Sequence, residues 1–171
     1  ASSTEPEVNS TVSGVDLSLE AIRTTQQADD SIHAVMELLR RGVEPPPTEL
    51  RLYPEEARVL SAQFDSLVIH DGVLYRSFHH PDGSTQRLQV ILPAVLRQPY
   101  IQRLHVDMGH VGQAKTCAAL MQRAYFPGWS SLTKLLVRNC TICNLHQRGR
   151  QPPKQTPLRP MQEYLPMAVL H

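Results

Sequence analysis

Apolar residues recur at helical spacing in the first part of the chain, between residues 17 and 64. Asp29 and Asp30 can cap a helix whose apolar positions lie three and four residues apart. Gly42 and the three prolines that follow it end that helix. Pro54 favours the start of another short helix. This part is therefore predicted to form helices separated by turns.

Between residues 67 and 92 the pattern changes to the short apolar runs of β-strands. Asp71 and Gly72 supply the positive φ angles that a tight hairpin needs, and residues 81–84 form a second turn sequence. Three strands are about the smallest sheet that is stable, so the preceding helices are expected to cover its apolar face. The three antiparallel strands are predicted at residues 67–69, 73–75 and 87–92.

Helical spacing returns after Pro93, in three segments. Pro99 is expected to start or kink the first of them, because proline removes a backbone donor. The helices are predicted at residues 94–106, 113–124 and 130–139. The basic, proline-rich sequence that follows Cys143 is expected to be a linker.

The composition is typical of a globular protein, and the distribution of charge along the chain suggests a charged partner. Its 171 residues, 41% of them hydrophobic, can form one average domain or two small ones, and no apolar run approaches the roughly 20 residues of a membrane span. Residues 1–98 contain eight basic and fourteen acidic residues, a net charge of −6, whereas residues 99–171 contain nine and two, a net charge of +7. The basic half suggests a polyanionic partner, although solvated helix faces would give the same excess.

Two histidines and two cysteines offer the donor set of a closed tetrahedral zinc site: His105, His110, Cys140 and Cys143. A spacing of five residues places the two histidines about 140° apart on a regular helix, so the backbone must break between them, and Gly109 permits that break. Four protein ligands leave no position for a reactive water. We therefore expect one structural zinc ion.

Two further residues near this set need an assignment. His146, three residues after Cys143, could replace one histidine, but it lies at the start of the expected linker. Cys117 falls on the apolar side of a predicted helix and is read as a core residue. An odd number of cysteines also argues against a disulfide scaffold and favours a reducing compartment.

The spacing of these residues and of their neighbours resembles one family. The sequence Leu104-His105-x4-His110-Val111-Gly112, followed by Cys140-x2-Cys143, is similar to the HHCC zinc-binding N-terminal domain of integrases from gypsy-class LTR retrotransposons and the gammaretrovirus-like group. Upstream, Asp71-Gly72-Val73-Leu74-Tyr75-Arg76 resembles the extension domain of that group. The resemblance covers about residues 17–150.

The resemblance implies an α+β, mainly helical protein: a small three-stranded antiparallel sheet with helices, followed by a zinc-stabilised, helix-turn-helix-like domain. The expected divisions are a flexible leader (1–16), an extension domain (17–92), the HHCC domain (93–145) and a linker toward a catalytic core (146–171). The carboxylate triad that holds Mg²⁺ would belong to that core. No catalytic residue, and no enzymatic activity, is therefore expected in this segment.

By resemblance, such a module helps an integrase to multimerise and to bind the DNA ends of its element. The resemblance also implies a parent that is a DNA strand transferase and part of a Pol polyprotein. The basic residues of the second half fit phosphate contacts, which give affinity without sequence information. The candidate DNA-binding residues are Lys115, Arg123, Lys134, Arg138, Arg148, Arg150 and Lys154.

An alternative is a host protein derived from a retroelement that uses the zinc module for protein–protein interaction. An unrelated zinc-finger regulator is disfavoured, because its cysteines usually precede its histidines at a short interval. The expected location is intracellular, in a cytoplasmic particle or in the nucleus, with the parent acting in the nucleus. No membrane partner is expected.

Overall fold

A computed structural model describes residues 15–79, 81–83 and 85–149. The helices of these residues are α1 (Leu19–Ala28), α2 (Asp30–Arg41), α3 (Pro47–Leu50), α4 (Glu55–Ser61), α5 (Ala94–Asp107), α6 (Gln113–Met121), α7 (Trp129–Arg138) and α8 (Thr141–Arg148). The strands are β1 (Leu67–His70), β2 (Val73–His79), β3 (Gln86–Ile91) and β4 (Ala124–Tyr125), with a 3-10 turn at Phe64–Ser66. The predicted α+β, mainly helical class is confirmed, and no helix here is long and apolar enough to cross a membrane.

The first two helices begin and end at the residues that their chemistry favours. The Ser18 side chain accepts a hydrogen bond from the backbone of Ala21 at the start of α1, and Asp29 caps α2 in the same way. Gly42 ends α2 in the left-handed conformation, with φ of 70°. The predicted capping by Asp29 and termination by Gly42 are confirmed.

The sheet has four strands in the order β1-β2-β3-β4, one more than predicted. The first three are antiparallel, and β4 pairs with β3 in parallel. The helix predicted at residues 113–124 ends at Met121, because the chain then extends along β3 with hydrogen bonds from Val90 N to Arg123 O and from Leu92 N to Tyr125 O. The predicted last turn of that helix is therefore wrong.

Helices cover both faces of the sheet. One face packs against α2 and α4 through a core of Ile32, Val35, Met36, Ala57, Leu60, Leu67, Leu74 and Ile91. The other packs against α1, α5 and α6 through Ile22, Val73, Val90, Leu92, Leu96, Ile101, Leu104, Leu120, Ala124 and Phe126. The prediction that the preceding helices cover the sheet is right for the first face, and helices that follow the sheet complete the second.

Polar contacts also cross the predicted boundary at residue 92. The carboxylate of Asp29 accepts a hydrogen bond from the backbone of Ala94 at 3.2 Å. Arg97 pairs with Glu56, and its guanidinium lies 4.7 Å from the ring centroid of Phe126. The two predicted domains therefore share a sheet, a core and an ion pair.

The later helices decide one of the two alternatives for Pro99 and correct the start of the linker. Pro99 lies inside α5 and does not start it, and it removes only one backbone hydrogen bond near the start of the helix, so a kink there stays a prediction. Residues 146–148, predicted as linker, belong to α8, which begins directly at Cys140. Most of the predicted leader (1–16) and linker (146–171), including Arg150 and Lys154, lies outside the described residues.

Candidate metal centre

The two histidines are brought together by the way α5 ends. The N–H of Gly109 donates to the carbonyl of Val106, and the N–H of His110 to the carbonyl of His105, each at 2.9 Å. These bonds define a Schellman motif, in which the side chains that correspond to His105 and His110 commonly contact each other. Their ring centroids lie 4.8 Å apart with the planes nearly perpendicular. A common helix ending thus creates half of the site.

The Schellman motif needs a left-handed residue at Gly109, and here the residue that follows it also has a positive φ. Gly109 has φ of 77° and His110 has φ of 58°. Glycine adopts such a conformation freely, whereas a residue with a side chain adopts it at some cost. The backbone break predicted at Gly109 is confirmed.

The cysteines lie at the other helix boundary, between α7 and α8. Cys140 is the N-cap residue of α8 and Cys143 is the third residue of its first turn. Side chains at these two positions face each other, as they do in a capping box. The side-chain amide of Asn144 donates a hydrogen bond to the carbonyl of Arg138 at 3.1 Å and so links the start of α8 to the end of α7. The two sulfur atoms consequently converge on the histidines.

The four ligand atoms all lie within 4.8 Å of one another. Cys143 Sγ is 3.3 Å from His105 Nε2, Cys140 Sγ is 3.4 Å from His110 Nδ1, and Cys143 Sγ is 4.0 Å from His110 Nδ1. Bonds of about 2.0 Å to nitrogen and about 2.3 Å to sulfur would place tetrahedral ligands roughly 3.3–3.8 Å apart. The donor atoms and their spacing therefore fit a closed structural zinc site.

A buried threonine lies beside the first ligand, whose imidazole also has a hydrogen bond with the backbone of Val111. Thr116 Oγ1 lies 3.5 Å from His105 Nδ1, and its hydroxyl donates to the carbonyl of Gly112 at 3.1 Å. The oxygen can thus accept a hydrogen bond from Nδ1, which leaves Nε2 free for the metal. Sequence reasoning missed Thr116. Its position on a predicted helix between the two ligand pairs could have indicated a side chain close to the metal ligands.

The local electrostatics favour a bound cation. Burial and the neighbouring His110 lower the pKa of His105, which keeps its imidazole in the neutral form that binds metal. Burial, together with a hydrogen bond and charge repulsion from Cys140, raises the pKa of Cys143. Two close thiolates repel each other, and a zinc ion would remove that repulsion.

Comparison with known families agrees with this geometry. Residues 92–148 match the family described as the integrase zinc binding domain. This part of the chain is similar to integrase zinc-binding domains, in sequence and in the placement of its four ligands. The matched residues include all four ligands, which confirms the resemblance to an integrase HHCC domain, a non-catalytic module. The resemblance of the upstream residues to an extension domain, and the retrotransposon origin, stay predictions. Comparison with curated proteins gives no match, and neither does comparison with solved structures.

Neither of the two other candidates near the zinc-binding domain's ligands joins them. His146 is exposed on α8 and is not one of the four converging residues. Cys117 is buried on α6, as expected of a core residue. Among the described residues, His105, His110, Cys140 and Cys143 remain the ligand set.

The predicted DNA-binding residues that the structure describes are all exposed. Lys115 lies on α6, Lys134 and Arg138 lie one turn apart on α7, and Arg148 ends α8. Arg123 was predicted on a helix, but it lies in the turn between α6 and β4. Their contact with DNA stays a prediction.

One of the described basic residues lines a depression next to the metal ligands. Arg138 borders a cavity of about 620 Å³ with the start of α6 and the ligands His110 and Cys143. Arg123 instead borders a different cavity of about 430 Å³, together with Tyr100 and the ion pair of Arg103 with Asp107. The basic residues are thus distributed over more than one surface.

Proposed function

We propose that residues 92–148 act as the zinc-stabilised N-terminal module of a retroelement integrase, which assists multimerisation and binds the DNA ends of the element. The observation that carries this proposal is the convergence of four zinc ligands in a segment of that family. Zinc would stabilise the ends of α5, α7 and α8 against one another. Strand transfer, with its Mg²⁺ ions, would belong to the catalytic core of the parent protein, acting in the nucleus.

The exposed side of α7 is the first surface that we assign to DNA. Lys134 and Arg138 lie at positions i and i+4, so their cationic groups share one face of the helix. Lys115 and Arg148 add charge on the neighbouring helices α6 and α8. Such contacts address phosphates, so binding should show little sequence preference and be micromolar or weaker at physiological salt.

Fluorescence anisotropy with a labelled blunt duplex at several salt concentrations tests this assignment. Each lost phosphate contact lowers the slope of log affinity against log salt by about 0.9. Replacing both Lys134 and Arg138 with Gln should therefore weaken binding and lower the slope by about 2. The matched control replaces Arg51 and Arg58, two exposed arginines of the acidic half, with Gln, and it should leave the slope unchanged.

Removing residues 148–159 should weaken binding further, because they include Arg148, Arg150 and Lys154. Salt-independent binding, or none at tens of micromolar, would contradict the DNA-binding role. An equal effect of the control pair would show that only net charge matters.

A specific feature of α8 favours the alternative function in protein–protein interaction. Ile142 and Leu145 lie three residues apart on α8, with exposed fractions of 46% and 67%, and no residue of this helix is buried. If the module serves a host protein as an interaction domain, the unmodified chain should associate in sedimentation experiments and should not bind DNA. Replacing both Ile142 and Leu145 with Ser should then abolish the association. An intracellular location is proposed for either function.

A further inference from the structure

We propose that the open end of the sheet binds an unpaired nucleobase of a DNA end, stacked on the ring of Phe78. This inference rests on the proposed DNA-binding function and extends it to the acidic half of the chain, to which no DNA contact is otherwise assigned. It is carried by three observations: a cation–aromatic stack, a small cavity at the end of that stack, and arginines that have no acidic partner among the residues that the structure describes.

The stack lies on the sheet face that α2 and α4 cover only in part. Phe78 on β2 lies opposite Arg87 on β3, and Arg76 lies opposite Gln89, all on this face. The guanidinium of Arg76 is 4.3 Å from the ring centroid of Tyr125 and 5.9 Å from that of Phe78. Tyr125, Arg76 and Phe78 therefore form successive layers, and Phe78 is the outermost of the three.

A cavity of about 190 Å³ lies next to Phe78. It is lined by Phe78, Arg87, Ala118, Met121 and Gln122. The volume is below the roughly 300–1,000 Å³ of sites for drug-sized ligands, so it suits a single planar ring system. Arg87 is hydrogen-bonded to the side chain of Gln122, which places polar groups beside an otherwise apolar surface. A base could stack on the ring and present its polar edge to this pair.

The charge at this end of the sheet favours a polyanion. Neither Arg76 nor Arg87 forms an ion pair with a described residue. The buried Nε of Arg76 also has no hydrogen-bond partner in the described part of the chain, and the residues that line the cavity include no acid. Uncompensated guanidinium groups beside an aromatic face are the combination that single-stranded nucleic acids bind, through phosphate attraction and base stacking.

The test compares the full chain on a blunt duplex and on the same duplex with a short single-stranded overhang that contains 2-aminopurine. Stacking quenches the fluorescence of 2-aminopurine, and anisotropy gives the affinity. The overhang should bind roughly tenfold more tightly than the blunt end, as expected for one stacked base, with quenching. Phe78→Leu keeps an apolar side chain but removes the ring, so it should abolish both effects. Phe78→Trp retains a ring and should preserve them.

Phe64→Leu is the matched control, because Phe64 is also half-buried but does not line the cavity, and it should leave the overhang preference intact. Equal binding of blunt and overhang duplexes would overturn the inference while leaving the proposed DNA-binding function standing. Failure to bind either DNA would overturn both. DNA-independent self-association that Phe78→Leu abolishes would assign the cavity to a second copy of the chain instead.

Discussion

Gly109 is the residue on which the geometry of the metal centre most depends. Its φ of 77° would strain the backbone of any residue that carries a side chain, although a Cβ there would meet no atom within 4 Å. Gly109→Ala should therefore cost about 1–2 kcal/mol through backbone strain alone and weaken zinc binding roughly tenfold. Gly42→Ala is the matched control, with φ of 70° and the same open surroundings. In denaturation it should lose similar stability, but competition with a chelator should show unchanged zinc affinity.

Thr116 illustrates a second dependence, because it contacts a ligand and not the metal. Thr116→Val keeps the shape and removes the oxygen near His105 Nδ1, so zinc affinity should fall about 10- to 100-fold, as for other outer-shell partners. Thr133 is also fully buried, but its hydroxyl donates to the carbonyl of Trp129. Thr133→Val should consequently leave the affinity unchanged in the same competition assay. A similar loss in both variants would mean that Thr116 acts only through packing.

Local chemistry predicted the elements whose boundaries depend on nearby residues. The cap at Asp29, the end at Gly42 and the hairpin turn at Asp71-Gly72 each need only a few neighbouring residues, and the ligand set followed from donor type and spacing. The parallel pairing of β4 with β3 was not predictable in this way, because it depends on residues more than thirty positions apart. Residues 146–148 were misassigned because the basic, proline-rich sequence that follows obscured the end of α8.

Among the described helices of eight or more residues, α8 depends most directly on the metal. None of its residues is buried. In the part of the chain that the structure describes, two sets of side-chain contacts attach this helix to the rest of the fold: the contacts of Cys140 and Cys143 with the histidines, and the hydrogen bond from Asn144 Nδ2 to the carbonyl of Arg138. Chelation should therefore abolish hydrogen-exchange protection in Thr141–Arg148 before it affects α6. Replacing both cysteines with Ser should have the same effect in the presence of zinc, because metal binding contributes directly to folding. Retained protection in either case would contradict a structural role for zinc.

The whole molecule joins its two charged halves through the sheet. β3 belongs to the hairpin of the acidic half, yet it pairs with β4 of the basic half. The ion pair of Glu56 with Arg97 and the stacking of Arg97 on Phe126 reinforce this connection. Because Arg97 is only 12% exposed, removing Glu56 would leave a largely buried charge unpaired, which is strongly destabilising. The opposite net charges of residues 1–98 and 99–171 therefore coexist with tight physical coupling.

That coupling determines how far unfolding should spread through the molecule when zinc is removed. The core against α2 and α4 is built from buried residues between Ile32 and Ile91, so the amides that join β1 to β2 should stay protected from hydrogen exchange after chelation. The amides of Val90 and Leu92 donate to Arg123 and Tyr125 of the basic half, and they should lose protection along with α5 to α8. Mass spectrometry of the exchanged, zinc-free chain would resolve these groups. Protection lost everywhere at once would show one cooperative unit, whereas protection kept at Val90 and Leu92 would show that β4 holds to β3 without the metal.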